Sequence, residues 1–105
     1  MDKTLNILII DSSIAMRSGL KALLGPLNAN LTEASNGLDG LHLLSQTAFD
    51  VIITSVDMPK MDGLELCRRV KRTPATQAIP VIILSSSDAD VDVNSAIQAG
   101  ASAYI

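Results

Sequence analysis

Hydrophobic and polar positions follow two different rhythms along this chain. Leu5 to Ile10, Val51 to Ser55 and Pro80 to Leu84 are short runs rich in Ile and Val, each bounded by polar or turn-forming residues. Runs of that length and composition predict strands buried on both faces. Between them, apolar residues recur at about 3.6-residue spacing. They are Ile14, Leu20, Leu23, Leu24 and Leu27, then Leu38, Leu41 and Leu44, then Leu64, Cys67 and Val70. These stripes predict amphipathic helices. The boundaries agree: Ser12 or Ser13 opens the first helix, Asn36 precedes Asp39, Asp62 precedes Glu65, and Ser87 precedes Asp90 at the spacing of a capped helix start. Gly25-Pro26, Thr73-Pro74 and Gly100 are the matching stops. Weaker segments at Leu31 to Ala34 and Ala101 to Ile105 complete a series of strand then helix, four times over, and a last strand.

That alternation predicts an α/β fold, a doubly wound parallel sheet with right-handed crossovers and helices on both faces. In such sheets function gathers beyond the carboxyl ends of the strands. Asp11, Ser12, Ser55, Asp57 and Ser85 follow the buried runs and are the residues to inspect. No repeat, low-complexity tract or linker interrupts the series, so residues 1–105 read as a single domain.

Composition narrows the classes of function. With 105 residues, 48% of them hydrophobic, the chain supports a core without covalent staples. Cys67 is the sole cysteine and no leader pattern precedes the first strand, which predicts a cytoplasmic protein without disulfides. The Asn30-Leu31-Thr32 sequon is then expected to be chance. The run from Ile7 to Ile10 falls far short of the roughly 20 apolar residues of a membrane span, so no membrane role is expected. Eight basic residues against 11 acidic ones leave a net charge of −3, and one Tyr, one Phe and no Trp offer no stacking platform. Direct contact with nucleic acid is not expected.

Four segments carry a closer resemblance. Ile9-Ile10-Asp11-Ser12-Ser13, Ser55-Val56-Asp57-Met58-Pro59-Lys60-Met61-Asp62-Gly63-Leu64-Glu65-Leu66, Pro80-Val81-Ile82-Ile83-Leu84-Ser85 and Gly100-Ala101-Ser102-Ala103-Tyr104-Ile105 resemble, in order and interval, the receiver domain of two-component response regulators. Met-Pro-x-Met-Asp-Gly is the most distinctive part. The resemblance implies a flavodoxin-like fold with sheet order 2-1-3-4-5, and an Asp ending the third strand that takes a phosphoryl group from a histidine kinase. It further implies two consecutive acids after the first strand, a hydroxyl after the fourth, a Lys after the fifth, and a magnesium ion between carboxylates and phosphate.

This sequence departs from that pattern at the residues that matter most. Asp11 matches the first acid, but Ser12 stands where the second is expected, and Ser55 occupies the phosphoacceptor position. Ser85 matches the phosphate-binding hydroxyl, Tyr104 matches the family's switch aromatic, and the Lys would fall beyond Ile105. One carboxylate with two neutral hydroxyls offers magnesium far less than three carboxylates do. A serine hydroxyl is a weak nucleophile unless a base activates it, and no His or Lys lies in these segments. The expectation is a receiver-like signalling module that is not an enzyme, binds Mg2+ weakly or not at all, and works through a protein partner or its own output domain. The alternative is a receiver phosphorylated by an unusual route at Asp57 or Ser55. A small ligand in the crevice is disfavoured, because no Gly-rich phosphate loop follows the first strand.

Other residues have plainer readings. Asp11 doubles as a helix-start residue. Arg68, Arg69, Lys71 and Arg72 read as a solvated helix face, His42 as a rim residue, Cys67 as buried and inert, and Met16, Met58 and Met61 as packing residues. Because the family pattern runs past Ile105 into a fifth helix, the chain is expected to be the N-terminal part of a longer regulator. The face left bare by that absent helix is expected to bury itself in a homodimer, by exchange of elements, or against a partner.

Overall fold

The Ile- and Val-rich runs form the strands that their composition predicts, and the capped stripes form helices between them. A computed structural model describes residues 4–85 and 93–105. In chain order the elements are β1 (Leu5–Ile10), α1 (Ile14–Leu24), β2 (Ala29–Ala34), α2 (Gly37–Gln46), β3 (Val51–Ser55), α3 (Gly63–Arg72), β4 (Val81–Leu84), α4 (Val93–Ala99) and β5 (Ala103–Tyr104). The strands make one parallel sheet in the order β2-β1-β3-β4-β5. Because successive side chains alternate across a strand, two cores result. Leu8, Ile10, Ile52, Val81 and Ile83 meet Leu66, Cys67 and Val70 of α3 and Ala96 and Ala99 of α4. Ile7, Ile9 and Ile53 face the other way, toward Leu20 and Leu24 of α1.

Caps fall where the sequence places them. Ser13 Oγ accepts from the Met16 N–H at 3.1 Å, Asn36 Oδ1 from Asp39 N–H at 2.9 Å, and Asp62 Oδ1 from Glu65 N–H at 2.8 Å. The expected opening of the fourth helix at Ser87 and Asp90 lies outside the described residues.

Several boundaries and faces differ from the apolar pattern. β2 begins at Ala29, not Leu31, because backbone pairing of Ala29 and Asn30 with Leu5 and Asn6 needs no apolar side chain. Pro80 lies outside β4, although its carbonyl still accepts from Ile52 N–H at 3.0 Å. The last strand is two residues long. On α1 only Leu20 and Leu24 turn toward the sheet, while Ile14 and Leu23 are 73% and 74% exposed and Leu27 lies past the helix end. Met16 is exposed and does not serve as a packing residue, whereas Met61 is buried and Met58 packs against the main core. Leu66, outside the expected stripe of α3, is fully buried. Leu38 is exposed as well, and α2 instead approaches β1 through Gly40, where a Cβ would stand 2.5 Å from Ile10 Cδ1.

Candidate functional site

The ends of β1, β3 and β4 lie side by side in a parallel sheet, so the residues that follow them share one edge. Asp11 extends β1 by donating its N–H to Ala34 carbonyl at 3.1 Å and is only 8% exposed. Its Oδ1 accepts from Ser13 N–H at 2.8 Å, and its carbonyl accepts from Arg17 Nη1 at 2.6 Å. Asp11 therefore both faces the strand ends and organises the start of α1. Ser12, the next residue, is exposed.

Ser55 ends β3. Its backbone and side chain have different surroundings. The carbonyl accepts from Thr54 Oγ1 at 3.0 Å and lies against Gly63, where any Cβ would overlap it. The hydroxyl is buried and has no hydrogen-bond partner among the described residues. The following turn brings the chain back: Gly63 N–H donates to Val56 carbonyl and Met61 N–H to Pro59 carbonyl, both at 2.8 Å. Lys60 makes the reversal with φ of 71°, a left-handed conformation that favours glycine. Asp57 sits in this turn with its side chain exposed.

Ser85 follows β4 and is exposed. Its N–H and its Oγ both donate to the Ile105 carbonyl, at 2.7 and 2.9 Å. Tyr104 is half-buried, packs against the main core, and lines a cavity of about 190 Å³ with Ala96 and Ile97. Asp11 and the Ser55 hydroxyl are thus drawn inward at the strand ends, while Ser12, Asp57 and Ser85 stand at the surface. Among the described residues no three His, Cys, Asp or Glu side chains are grouped so as to hold a metal ion. His42 is exposed on α2, Cys67 is buried, and burial pushes the Cys67 thiol pKa up.

Two residues at this edge escaped the reading of the sequence. Thr54 is fully buried and joins the Ser55 carbonyl to the Met58 turn, its Oγ1 lying 3.8 Å from Met58 Sδ. Arg17 bridges the Asp11 carbonyl to Glu33 Oε1 at 3.0 Å, and Lys21 reaches Glu33 Oε2 at 3.1 Å. Arg17 shares the helix face of Leu20 and Leu24 at i, i+3 and i+7. A cation on an inward stripe was the available signal.

A parallel sheet in this order, with polar residues collected beyond the strand ends, defines a flavodoxin-like doubly wound domain. The chain matches the family model described as response regulator receiver domain over residues 7–105, and it belongs to that family. It is 41% identical to the gliding motility regulatory protein of Myxococcus xanthus over 98% of this chain and 13% of that protein. Against the chemotaxis protein CheY-3 of Vibrio cholerae it is 33% identical, covering all of this chain and 82% of that one. The solved signal receiver domain of a signal transduction histidine kinase from Syntrophus aciditrophicus superposes with a TM-score of 0.89 at 35% identity, over 97% of this chain and 77% of that one. The chain spans only a small part of the first of these relatives. It is a receiver domain of two-component signalling, and among its described residues no helix is long and apolar enough to cross a membrane.

Proposed function

We propose that this receiver is a cytoplasmic signalling module that is not phosphorylated in the usual way and acts by contact with a protein partner or an output domain. The enclosed Ser55 hydroxyl carries this reading. It stands at the acceptor position, buried and, among the described residues, without a partner able to take its proton, and an unactivated hydroxyl does not attack phosphorus at a useful rate. The donor set does not fit magnesium either. Asp11 supplies one carboxylate, with one oxygen already committed to Ser13 N–H, and the acids expected at positions 12 and 55 are serines. Ser85 and Tyr104 keep the places of the phosphate-binding hydroxyl and the switch aromatic, without a phosphoryl group to answer to.

Intact-mass analysis after incubation with acetyl phosphate and Mg2+ tests this directly. No added phosphoryl group is expected. A gain of one, mapped to Asp57 or Ser55, would establish the alternative in which the receiver is modified by an unusual route. The double substitution Ser12→Asp/Ser55→Asp is expected to tighten Mg2+ binding by about tenfold or more, since each restored carboxylate adds a hard oxygen ligand. Unchanged Mg2+ affinity would mean that charge is not what the pocket lacks.

The sheet face carrying α1 is the surface we assign to protein contact. Ile14 and Leu23 are exposed on α1, Leu27 just past it and Ile105 after β5, while Ile82 and Leu84 on the sheet face that α1 covers are half-buried. Exposed apolar residues mark a binding role where they join into one large patch, and we propose that these do. The same preparation, read by light scattering, is expected to exceed the mass of one chain through a homodimer or exchanged elements; a single-chain mass at high concentration would leave only a different protein as occupant.

A further inference from the structure

The outward side of α3 concentrates charge of one sign. It carries Arg68, Arg69, Lys71 and Arg72 against one carboxylate, Glu65. The rest of the chain holds ten acidic and four basic residues, so a positive surface lies on an otherwise negative molecule. Three guanidiniums converge on Glu65: Arg68 Nη1 reaches Oε1 at 3.2 Å, while Arg69 Nε and Arg72 Nη2 reach Oε2 at 3.0 and 3.2 Å. Hydrogen bonds from Arg69 and Arg68 hold the Glu65 carboxyl below its ordinary pKa. One carboxylate cannot occupy three five-donor groups. Lys71 Nζ donates instead to the carbonyls of Gln77 and Ile79, at 3.2 and 2.6 Å, which hold the ammonium without neutralising it.

Cations are favoured near a helix C-terminus, which accounts for Arg69, Lys71 and Arg72 in the last turn. It does not account for Arg68, or for the shape beside it. Arg68, Lys71 and Arg72 line an open cleft of about 270 Å³ whose other wall is Gln98, Ala99 and Gly100 at the end of α4. The side chains of Arg68 and Arg72 are 47% and 67% exposed. Lying four residues apart, they rise about 6 Å along the helix, the spacing of carboxylates on successive turns of a second helix.

We propose that the α3–α4 cleft docks an acidic segment of a partner protein, with carboxylates received by Arg68 and Arg72. The proposal rests on the reading of this receiver as a protein-contact module and adds a second surface to it. Planar guanidinium forks match carboxylates two bonds at a time, whereas the overall negative charge and scarcity of aromatic residues disfavour a nucleic-acid strand.

Fluorescence anisotropy of a labelled Glu-rich helical peptide, with its Gln counterpart as control, tests the cleft. The Glu peptide is expected to bind and to weaken as salt screens the contact. Arg68→Gln/Arg72→Gln should reduce affinity about tenfold or more. Glu65→Gln should tighten it severalfold, because it removes the competing carboxylate. Equal binding of the Gln peptide, full affinity in the arginine variant, or tighter binding of a single-stranded oligonucleotide would each overturn the proposal. The arginine variant is exposed and distant from the strand-end pocket, and circular dichroism checks its fold. Failure here is separable from failure of the pocket reading, which is decided by phosphoryl mass alone.

Discussion

The turn from Val56 to Gly63 and the pocket it frames make opposite use of the same residue. The frame uses the backbone of Ser55: its carbonyl packs on Gly63 and accepts from Thr54, and Gly63 N–H closes the turn on Val56. The pocket uses the side chain of Ser55, which here is a buried hydroxyl with no partner among the described residues. Backbone contacts do not depend on whether position 55 carries a carboxylate or a hydroxyl. A receiver can therefore keep its architecture while its chemistry is exchanged, and likeness of fold is a poor guide to phosphorylation.

The comparison predicts that damage to the frame costs far more than damage to the pocket. Gly63→Ala is the severest test, because the new methyl group overlaps a backbone oxygen that cannot rotate away. A loss of about 3 kcal/mol is expected, at the upper end for overpacking, measured by urea denaturation. Gly40→Ala is the control. There the nearest atom is the flexible end of Ile10, and a loss of about 1 kcal/mol is expected. Equal losses at the two glycines would break the distinction between backbone and side-chain packing.

Ser55→Ala acts on the other partner of the comparison. An unpaired buried hydroxyl costs roughly 1–3 kcal/mol of desolvation, and alanine removes it without adding volume. Stability should rise by about 1 kcal/mol, a shift of roughly 4–8 °C in Tm for a domain of this size. A fall of similar size would show that the hydroxyl has a partner and that the pocket retains a polar task.

How much of this was legible follows the same division. β1 and β3 were delimited by their Ile and Val runs, and the caps Asn36 and Asp62 by their own chemistry, because burial and capping act through side chains. Ala29 and Asn30 joined β2 through backbone pairing, and Gly40 let α2 approach by having no side chain, so neither left an apolar signal. The stripe on α1 misled because one helix lying on the sheet turns only Leu20, Leu24 and Arg17 inward, leaving Ile14 and Leu23 outside. At the site, the sequence has serines at positions 12 and 55, where the family resemblance implies acids. Residue types did not show that the Ser55 hydroxyl is enclosed while Asp57 and Ser85 are exposed, since enclosure depends on the path of the turn.

Lys60 gives the smallest and most discriminating measurement on the frame. Its φ of 71° places a side-chain-bearing residue where the Cβ approaches the following carbonyl, at a cost of roughly 1–2 kcal/mol. Lys60→Gly relieves that cost but restores flexibility to the unfolded chain, which takes back roughly 0.5–1 kcal/mol. The net expectation is a gain of about 0.5 kcal/mol, with the urea m-value unchanged. Lys60→Ala retains the Cβ and the strain, and should leave stability where it is. If alanine stabilised as much as glycine, the gain would come from losing the lysine side chain rather than from the backbone, and the turn would no longer count as a frame held against its own residue preferences.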